Sequence, residues 1–432
     1  MFDYLNALRD FMKQQFEHNN IERFFPSEIA SLTESDIILE ACLRRKDFRR
    51  ENAFTIDCAD CKDMDDAVNV QKTSYGYLLM VHIADVAAYV PLGSALDQVA
   101  FSRATSIYIP KFTTPMLPPV LSDNLCSLNP GVDRNTLSVI MMLDHSGQVI
   151  SSEITKGMIH SKVKGIYSEV NALLAGKASD VTRQKYTAVL NQLSVMKSLY
   201  RILRDARVRN GAYVEDDNKP KIMISHHHID LVPTVEGIAE NIIEEFMVLA
   251  NRVVAEYLLS HDLPAIFRVQ EKKNCMASYH YDKNHHAELA LECYAHFTSP
   301  IRRLPDLKIH QILTMHLNGR SNKQIHDLFD EHLVEACERA TKRSRTAKQV
   351  QEFCIRRCYM FYFLRHLNEQ YTGKVTGFDK RRHPIISLDG LNIGVVFHQF
   401  IGIPIGTALS LKVGVNDKEL YARNVDYALA AA

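Results

Sequence analysis

The chain of 432 residues predicts an α+β fold: helical and strand-rich blocks in succession, closed by a small OB-like β-barrel. Three observations predict it. Residues 51–160 hold apolar runs of strand length, with 77–83 and 137–143 the clearest. Residues from about 181 to 366 turn to helical spacing. From Tyr371 onward the texture changes to short β-type runs separated by Gly and Asp-Gly turns.

In order, residues 1–50 read as a short helical region with a break at Pro26-Ser27. Residues 51–366 form the main domain. Its strands are interrupted by an irregular loop marked by Pro110, Pro115, Pro118 and Pro119. Helices are expected over 181–209, 238–259, 307–316 and 325–366, the second apolar on most faces and therefore buried. Residues 367–432 form the barrel, with strands near 372–375, 384–388, 393–397 and 408–413.

Composition excludes several classes. No stretch of 18 or more apolar residues is present, so no membrane span is expected. Met1-Phe2-Asp3-Tyr4-Leu5 lacks the basic start and apolar core of a signal peptide. The nine cysteines follow no disulfide framework, which reads as reduced thiols in a cytoplasmic setting. Cys58-x-x-Cys61 has no second pair at zinc spacing and reads as packing. The net charge is zero, so a nucleic-acid partner would have to be met by local basic clusters. Such clusters occur at Arg44-Arg45-Lys46, Arg49-Arg50, Arg302-Arg303, Lys342 to Lys348 and Lys380-Arg381-Arg382.

The most informative segment runs from Phe54 to Val68 and places Asp57, Asp63, Asp65 and Asp66 within ten residues. Apolar residues lead in and out, as for a strand entering an acidic loop and a chain returning to a core. Carboxylates this close repel unless a cation sits among them. Oxygen ligands alone suit Mg²⁺ or Mn²⁺, and protein-held Mg²⁺ commonly shares its shell with a phosphate. The segment is no EF-hand, because Lys62 and Val68 stand where that loop needs Gly and Glu. On these residues alone an acidic surface turn and a metal site are equally open.

The residues downstream carry a resemblance. The acidic loop is similar to the catalytic signature of the ribonuclease II family, which includes ribonuclease R. The order continues with 81–90, then Gly93 to Asp97, Arg103, Tyr108, 115–118 and 121–128. Ile243-Glu-Glu-Phe-Met247 with Asn251 resembles the family's central helix, and Tyr294 to Arg303 followed by Pro305-Asp-Leu307 resembles its second signature. The resemblance spans roughly residues 45 to 366 and implies a mixed sheet surrounded by helices. It implies a Mg²⁺-dependent 3′→5′ exoribonuclease acting on single-stranded RNA, with Mn²⁺ as an alternative metal. Asp57, Asp63, Asp65 and Asp66 would bind the metal. Asp65 and Arg302 would serve catalysis, with Arg302 on the scissile phosphate, where a planar permanent charge suits phosphate oxygens. Arg303 stands beside it as a further RNA contact. Tyr108 would clamp the 3′-terminal bases by stacking, and Tyr167, also a stacking candidate, would help set end-product length. Arg302 as a surface ion pair and the two tyrosines as core packing are the alternatives.

Glu244 and Glu245 on the central helix read as ion-pair partners for arginines. His226-His227-His228, His280 and His285-His286 lack metal-ligand spacing. The sequence also departs from the family. Residues 1–50 are too short for its two N-terminal cold-shock-type domains, the stretch from 270 to 279 is short, Gln270 replaces a common His, and Lys348 replaces a Glu. These departures motivate two other readings: an inactive RNA-binding protein on the same fold, and an endoribonuclease. A monomer is the expected state.

Overall fold

A five-stranded mixed sheet carries the acidic loop at one end. The structure is a computed structural model that describes residues 2–37, 39, 44–213, 219–234, 237–273, 275–398, 402–416 and 418–426. In spatial order the strands are Lys46–Asp47, Val149–His160, Asp133–Asp144, Gly76–Ala84 and Asp66–Thr73. The four long strands pair antiparallel, and Lys46–Asp47 joins the edge in parallel. Gly76–Ala84 is buried almost throughout, as an interior strand of the sheet. Leu190–Arg209 packs against Asp66–Thr73, Ile238–Ser260 against Gly76–Ala84, and Leu304–Leu317 against Val149–His160.

Beside this sheet, Thr55–Asp57 pairs in parallel with Lys164–Ile166. The approach is close: a Cβ added to Gly165 would lie 2.4 Å from the Thr55 carbonyl oxygen. Only glycine lets these two strands meet.

The helix expected from 181 to 209 is broken into Asp180–Lys185 and Leu190–Arg209. Tyr186 is fully buried in the gap. Its hydroxyl accepts from the Ile166 N–H at 2.8 Å and donates to Glu169 Oε2 at 2.7 Å. These tertiary bonds override the local helical spacing.

The N-terminal helix Tyr4–His18 is capped by Asp3, whose carboxylate accepts the Asn6 N–H at 3.0 Å. Its stripe of Tyr4, Leu8, Met12 and Phe16 is buried against Ile107, Ile109, Val350, Cys354 and Phe361. The partner for most of that surface is the 44-residue helix Asn322–Arg365, which starts with a Ser321/Gln324 capping box. This long helix is a spine. It enters the main core at Ile325, Phe329 and Leu333, meets the N-terminal helix at Val350 and Cys354, and reaches the barrel core at Met360 and Phe363.

The barrel is closed, with the order Tyr371–Phe378, Pro384–Leu388, Gly394–Val396, Leu420–Asp426 and Ala408–Val415. Four of its strands are visible as apolar runs. The fifth, Leu420–Asp426, alternates buried Leu420 and Ala422 with polar neighbours and so shows no such run.

Eight cysteines among the described residues are free, and five of them, Cys126, Cys293, Cys337, Cys354 and Cys358, are buried. Cys42, also expected to be a reduced thiol, lies outside the described residues. Among the described residues no helix is long and apolar enough to cross a membrane.

Candidate active site

Each of the four aspartates is placed by a backbone neighbour. Asp57 ends the strand Thr55–Asp57, and Asp66 begins the strand Asp66–Thr73. Asp63 and Asp65 sit in the loop between them, which is pinned from several directions. Lys164 Nζ donates to the Ala59 carbonyl at 3.1 Å and the Cys61 carbonyl at 2.5 Å. Ser127 Oγ donates to the Lys62 carbonyl at 2.6 Å and accepts the Met64 N–H at 3.1 Å. The fifth aspartate, Asp60, is exposed at the loop tip. The loop is therefore a fixed element of the fold and not a free acidic surface turn.

Asp65 is the most enclosed of the four, 3% exposed. Its Oδ1 accepts the Ile301 N–H at 2.9 Å and its Oδ2 accepts Arg302 Nε at 3.2 Å. Arg302 also donates through Nη2 to Ser299 Oγ at 2.9 Å. The Ser299 N–H in turn donates to Asp306 Oδ1 at 2.8 Å, and Arg303 Nη2 donates to the same oxygen at 2.7 Å. Ser299, Pro300 and Ile301 are buried, while the Arg302 side chain stays 41% exposed. Arg302 is therefore no surface ion pair. It is held by a buried turn with part of its guanidinium open to solvent. The Arg302 carbonyl accepts the Ser106 N–H at 3.0 Å, which docks the Tyr108 hairpin beside it.

Both tyrosines stand at the acidic loop. The Tyr108 hydroxyl donates to Asp63 Oδ2 at 2.5 Å, and the Tyr108 carbonyl accepts Gln351 Nε2 of the spine helix at 3.1 Å. Tyr167 opens the helix Tyr167–Leu174, directly after Ile166, the strand partner of Asp57. Burial pushes the Tyr167 phenol up, and Asp66 and Asp57 push it further. The Tyr108 phenol meets a carboxylate directly, whereas Tyr167 packs against the main core beside the strand that carries Asp57.

The electrostatics of the quartet are unbalanced. Burial pushes Asp57 up to about 6, with Asp63 adding to the shift. Burial and Asp57 push Asp66 up to about 8. Burial also raises Asp65 well above the usual carboxylate range, with Arg302 and the Ile301 N–H opposing. Asp57 Oδ2 is buried with no hydrogen-bond partner. Among the described residues no group of three or more His, Cys, Asp or Glu side chains is arranged to hold a metal ion by itself. This donor set still fits Mg²⁺, which keeps several waters and uses one or two carboxylates plus substrate phosphate. Carboxylates raised by burial and by one another, with one oxygen of Asp57 left without a partner, are what a divalent cation would relieve.

Cys61, expected as packing, packs within the acidic loop: its thiol lies 3.7 Å from Asp57 Oδ1 and 3.6 Å from Asp63 Oδ1, and burial pushes it far up, so it is a neutral spacer between two of the carboxylates. Ser127 and Lys164 were missed, and only their position in the fold reveals them.

The other candidates have structural explanations. Glu245, 2% exposed, accepts Arg207 Nη2 at 2.5 Å and Arg204 Nη1 at 2.9 Å, and Glu244 accepts Arg207 Nη2 at 2.9 Å. Gln270 is buried and staples two segments: its Nε2 donates to the Cys275 carbonyl at 2.8 Å, and its Oε1 accepts the Glu288 N–H at 2.9 Å. Lys348 is exposed on the spine helix. His226 pairs with Asp3, His280 with Ser278, and His285 with Asn284. His286 is buried, and burial lowers it to about 4.

The family profile of the RNB domain matches residues 45–278 and 272–319. Ribonuclease R of Thermotoga maritima is 34% identical over 418 residues, covering 82% of this chain and 58% of that protein. Ribonuclease R 1 of Lactococcus lactis is 31% identical, covering 81% of this chain and 50% of that protein. The chain thus spans about half to three fifths of the length of these curated relatives. Among solved structures, Mycoplasma genitalium RNase R in complex with ribose-methylated single-stranded RNA superposes with a TM-score of 0.83 at 22% identity, covering 95% of this chain and 77% of that one. Yeast Ssd1, described as a pseudonuclease, superposes with a TM-score of 0.67 at 17% identity, covering 90% of this chain and 55% of that one. The mixed sheet with its helices and terminal barrel is the ribonuclease R-type fold. On profile, relatives and fold together, the chain belongs to the RNB-domain family of ribonuclease R-type proteins.

Proposed function

We propose that the protein is a 3′→5′ exoribonuclease that hydrolyses single-stranded RNA to 5′-nucleoside monophosphates. One observation carries the proposal. Arg302, a phosphate-binding type of residue, is fastened to buried Asp65, with half-buried Asp57, Asp63 and Asp66 beside it, Tyr108 at Asp63 and Tyr167 next to Asp57 in the fold. Relatives of this chain are named ribonuclease R.

Asp57, Asp63, Asp65 and Asp66 would hold Mg²⁺, with Mn²⁺ satisfying the same oxygen donors. Bound there, the metal supplies Lewis acidity toward the phosphodiester and lowers the pKa of an attacking water. The protein's own groups position the substrate. The exposed part of the Arg302 fork meets phosphate oxygens, while Asp65 and Ser299 fix its plane. Arg303, anchored on Asp306, adds positive charge next to it. The rings of Tyr108 and Tyr167 stack bases without regard to sequence. The Tyr108 hydroxyl holds Asp63 in place. Division into an N-terminal region 1–50, a catalytic domain 51–366 and an RNA-binding barrel 367–432 completes the proposal, together with a cytoplasmic, monomeric enzyme.

The test is a time course on matched RNA and DNA strands with and without Mg²⁺. Mononucleotides that accumulate from RNA, and that disappear with Asp65→Asn, support the reading. A protein that binds RNA but releases no nucleotide would instead match the inactive alternative. Blocking the RNA 3′ end separates the two nuclease modes, since an exonuclease stalls and an endonuclease does not.

A further inference from the structure

A small cavity lies behind the hairpin that carries Tyr108. Its walls are Glu22, the end of the helix Ala95–Arg103, the strands Ile107–Ile109 and Phe112–Thr114, and the spine helix at Arg343. Neighbouring strand residues face opposite ways, so Ile107 lines the cavity while Tyr108 reaches Asp63. About 20 Å³ is open to the centre of a water molecule, more than the ~10–15 Å³ that one water needs. A sphere of that volume, widened by a water radius of about 1.4 Å, has a radius of about 3 Å, the size of a tetrahedral oxyanion and smaller than a nucleotide.

Arg103 makes this more than a packing gap. The residue is 9% exposed. Its Nε donates to the Pro115 carbonyl at 2.8 Å, its Nη1 donates to the Phe24 carbonyl at 3.4 Å, and its Cζ lies 4.2 Å from the centroid of the Phe25 ring. Nη2 is buried with no hydrogen-bond partner, and a buried charged donor left unmatched is costly. Arg343 joins the lining from the spine helix, with Nη1 donating to the Asn20 carbonyl at 3.0 Å. Among the described residues neither arginine takes part in an ion pair. Glu22 is the one carboxylate in the lining, and it is exposed. Burial lowers Arg103, with Glu22 opposing and Arg343 adding to the fall. Two guanidinium groups against one carboxylate leave the cavity with an excess of positive charge.

We propose that this cavity is a binding site for a tetrahedral oxyanion, either free orthophosphate or the phosphate group of a nucleoside monophosphate, held between Arg103 and Arg343. Guanidinium forks match phosphate oxygens, and the charge of about −1.5 to −2 that a phosphate carries near neutral pH offsets both cations. The anion supplies the acceptor that Arg103 Nη2 lacks. The Thr114 and Thr346 hydroxyls, also in the lining, are further donors. Glu22 is repelled by the anion and turns to solvent. A bound anion ties the Tyr108 hairpin to the spine helix from the face opposite the acidic loop. The same hairpin segment reaches the catalytic arginine, because Thr105 Oγ1 donates to the Arg302 carbonyl at 3.2 Å. The site goes beyond the exoribonuclease reading and does not depend on turnover.

The test is calorimetric titration of the full chain with sodium phosphate, in EDTA and at constant ionic strength. It is run in the Arg302→Gln background, which removes phosphate capture at the catalytic centre. Phosphate binding is expected to persist there. Adding Arg343→Gln is expected to weaken it about tenfold or more, the loss of one charge-assisted contact. Adding Glu22→Gln is expected to tighten it severalfold, because a like charge is removed. Glu22 is exposed, so this second variant decides the matter if circular dichroism shows that Arg343→Gln does not fold. Sulfate is expected to compete with phosphate, and chloride at the same ionic strength is not. Uridine 5′-monophosphate that competes assigns the ligand to the phosphate of a nucleotide, and failure to compete assigns it to free orthophosphate. Hydrogen exchange in residues 105–114 is expected to slow when phosphate is bound. Phosphate binding that vanishes with Arg302→Gln alone, that chloride matches, or that neither Arg343→Gln nor Glu22→Gln alters overturns the site, and the cavity then holds only water. None of these outcomes bears on RNA hydrolysis, which the time course in Mg²⁺ decides separately.

Discussion

Replacing Arg302 by lysine keeps the charge and removes the fork. In the structure one guanidinium meets two partners at once, Asp65 through Nε at 3.2 Å and Ser299 through Nη2 at 2.9 Å. A lysine ammonium can satisfy Asp65 or reach outward, but its point charge cannot do both and stay planar to a phosphate. A hydrogen bond to a charged group is worth about 1.5–3 kcal/mol. The 41% exposure of the side chain places the Ser299 contact at the low end, about 1.5 kcal/mol. Losing a second aligned donor to the phosphate adds a similar amount, for about 3 kcal/mol in all, or roughly a hundredfold in rate. The expectation is therefore that Arg302→Lys lowers kcat about 10²-fold, with KM for RNA changed less than tenfold. Single-turnover hydrolysis of end-labelled RNA, alongside binding measured in EDTA, separates the two quantities. If the lysine enzyme keeps wild-type kcat, the fork has no role in the reacting geometry and the argument from Asp65 and Ser299 collapses.

Three further outcomes are expected. Glu245→Gln leaves Arg207 buried with only Glu244 as a charged partner, and should cost about 3 kcal/mol in denaturant unfolding while kcat holds; a large fall in kcat would instead give Glu245 a catalytic part. Gly165→Ala should push Thr55–Asp57 off Lys164–Ile166, destabilising by about 1–3 kcal/mol and cutting activity at least tenfold, and a normally active, stable variant would contradict the close strand approach. His310 is buried and burial lowers it to about 4, so its neutral form contributes stability that is complete above about pH 6.5 and is lost as pH falls toward 4. Urea unfolding of wild type against His310→Gln at several pH values should show the variant's stability falling less steeply, by about 1.4 kcal/mol per pH unit between pH 6 and 5; parallel profiles would mean the imidazole titrates normally.

The acidic loop stood out because crowded carboxylates repel, but its ten residues left a surface turn and a metal site equally open. Arg302 was singled out by the resemblance of Tyr294 to Arg303 to a family signature, and the fold places it against Asp65. Glu245 was readable as an ion-pair partner from its place on an apolar helix. What escaped the sequence is contact across long separations. Ser127 and Lys164 are ordinary polar residues until the fold brings them under the loop. Cys61 looked like packing and does pack, but between two of the four carboxylates. The break at Tyr186 is invisible to helical periodicity because the bonds that cause it run to Ile166 and Glu169. The fifth barrel strand escaped because its outward residues are polar, which an exposed barrel face requires.

The bond from the Ile301 N–H to Asp65 joins positions 236 residues apart, and the strand carrying Asp57 waits for residues 164–166. A ribosome making this chain from its N-terminus therefore releases the acidic loop long before the loop has its supports. Through most of synthesis the emerging polypeptide holds carboxylates without the arginine that would aim a phosphate at them. The assembled constellation arrives late, after residue 302 has left the exit tunnel. Ribosome-bound chains stalled before residue 301 should leave added RNA intact, and those stalled well beyond it should not.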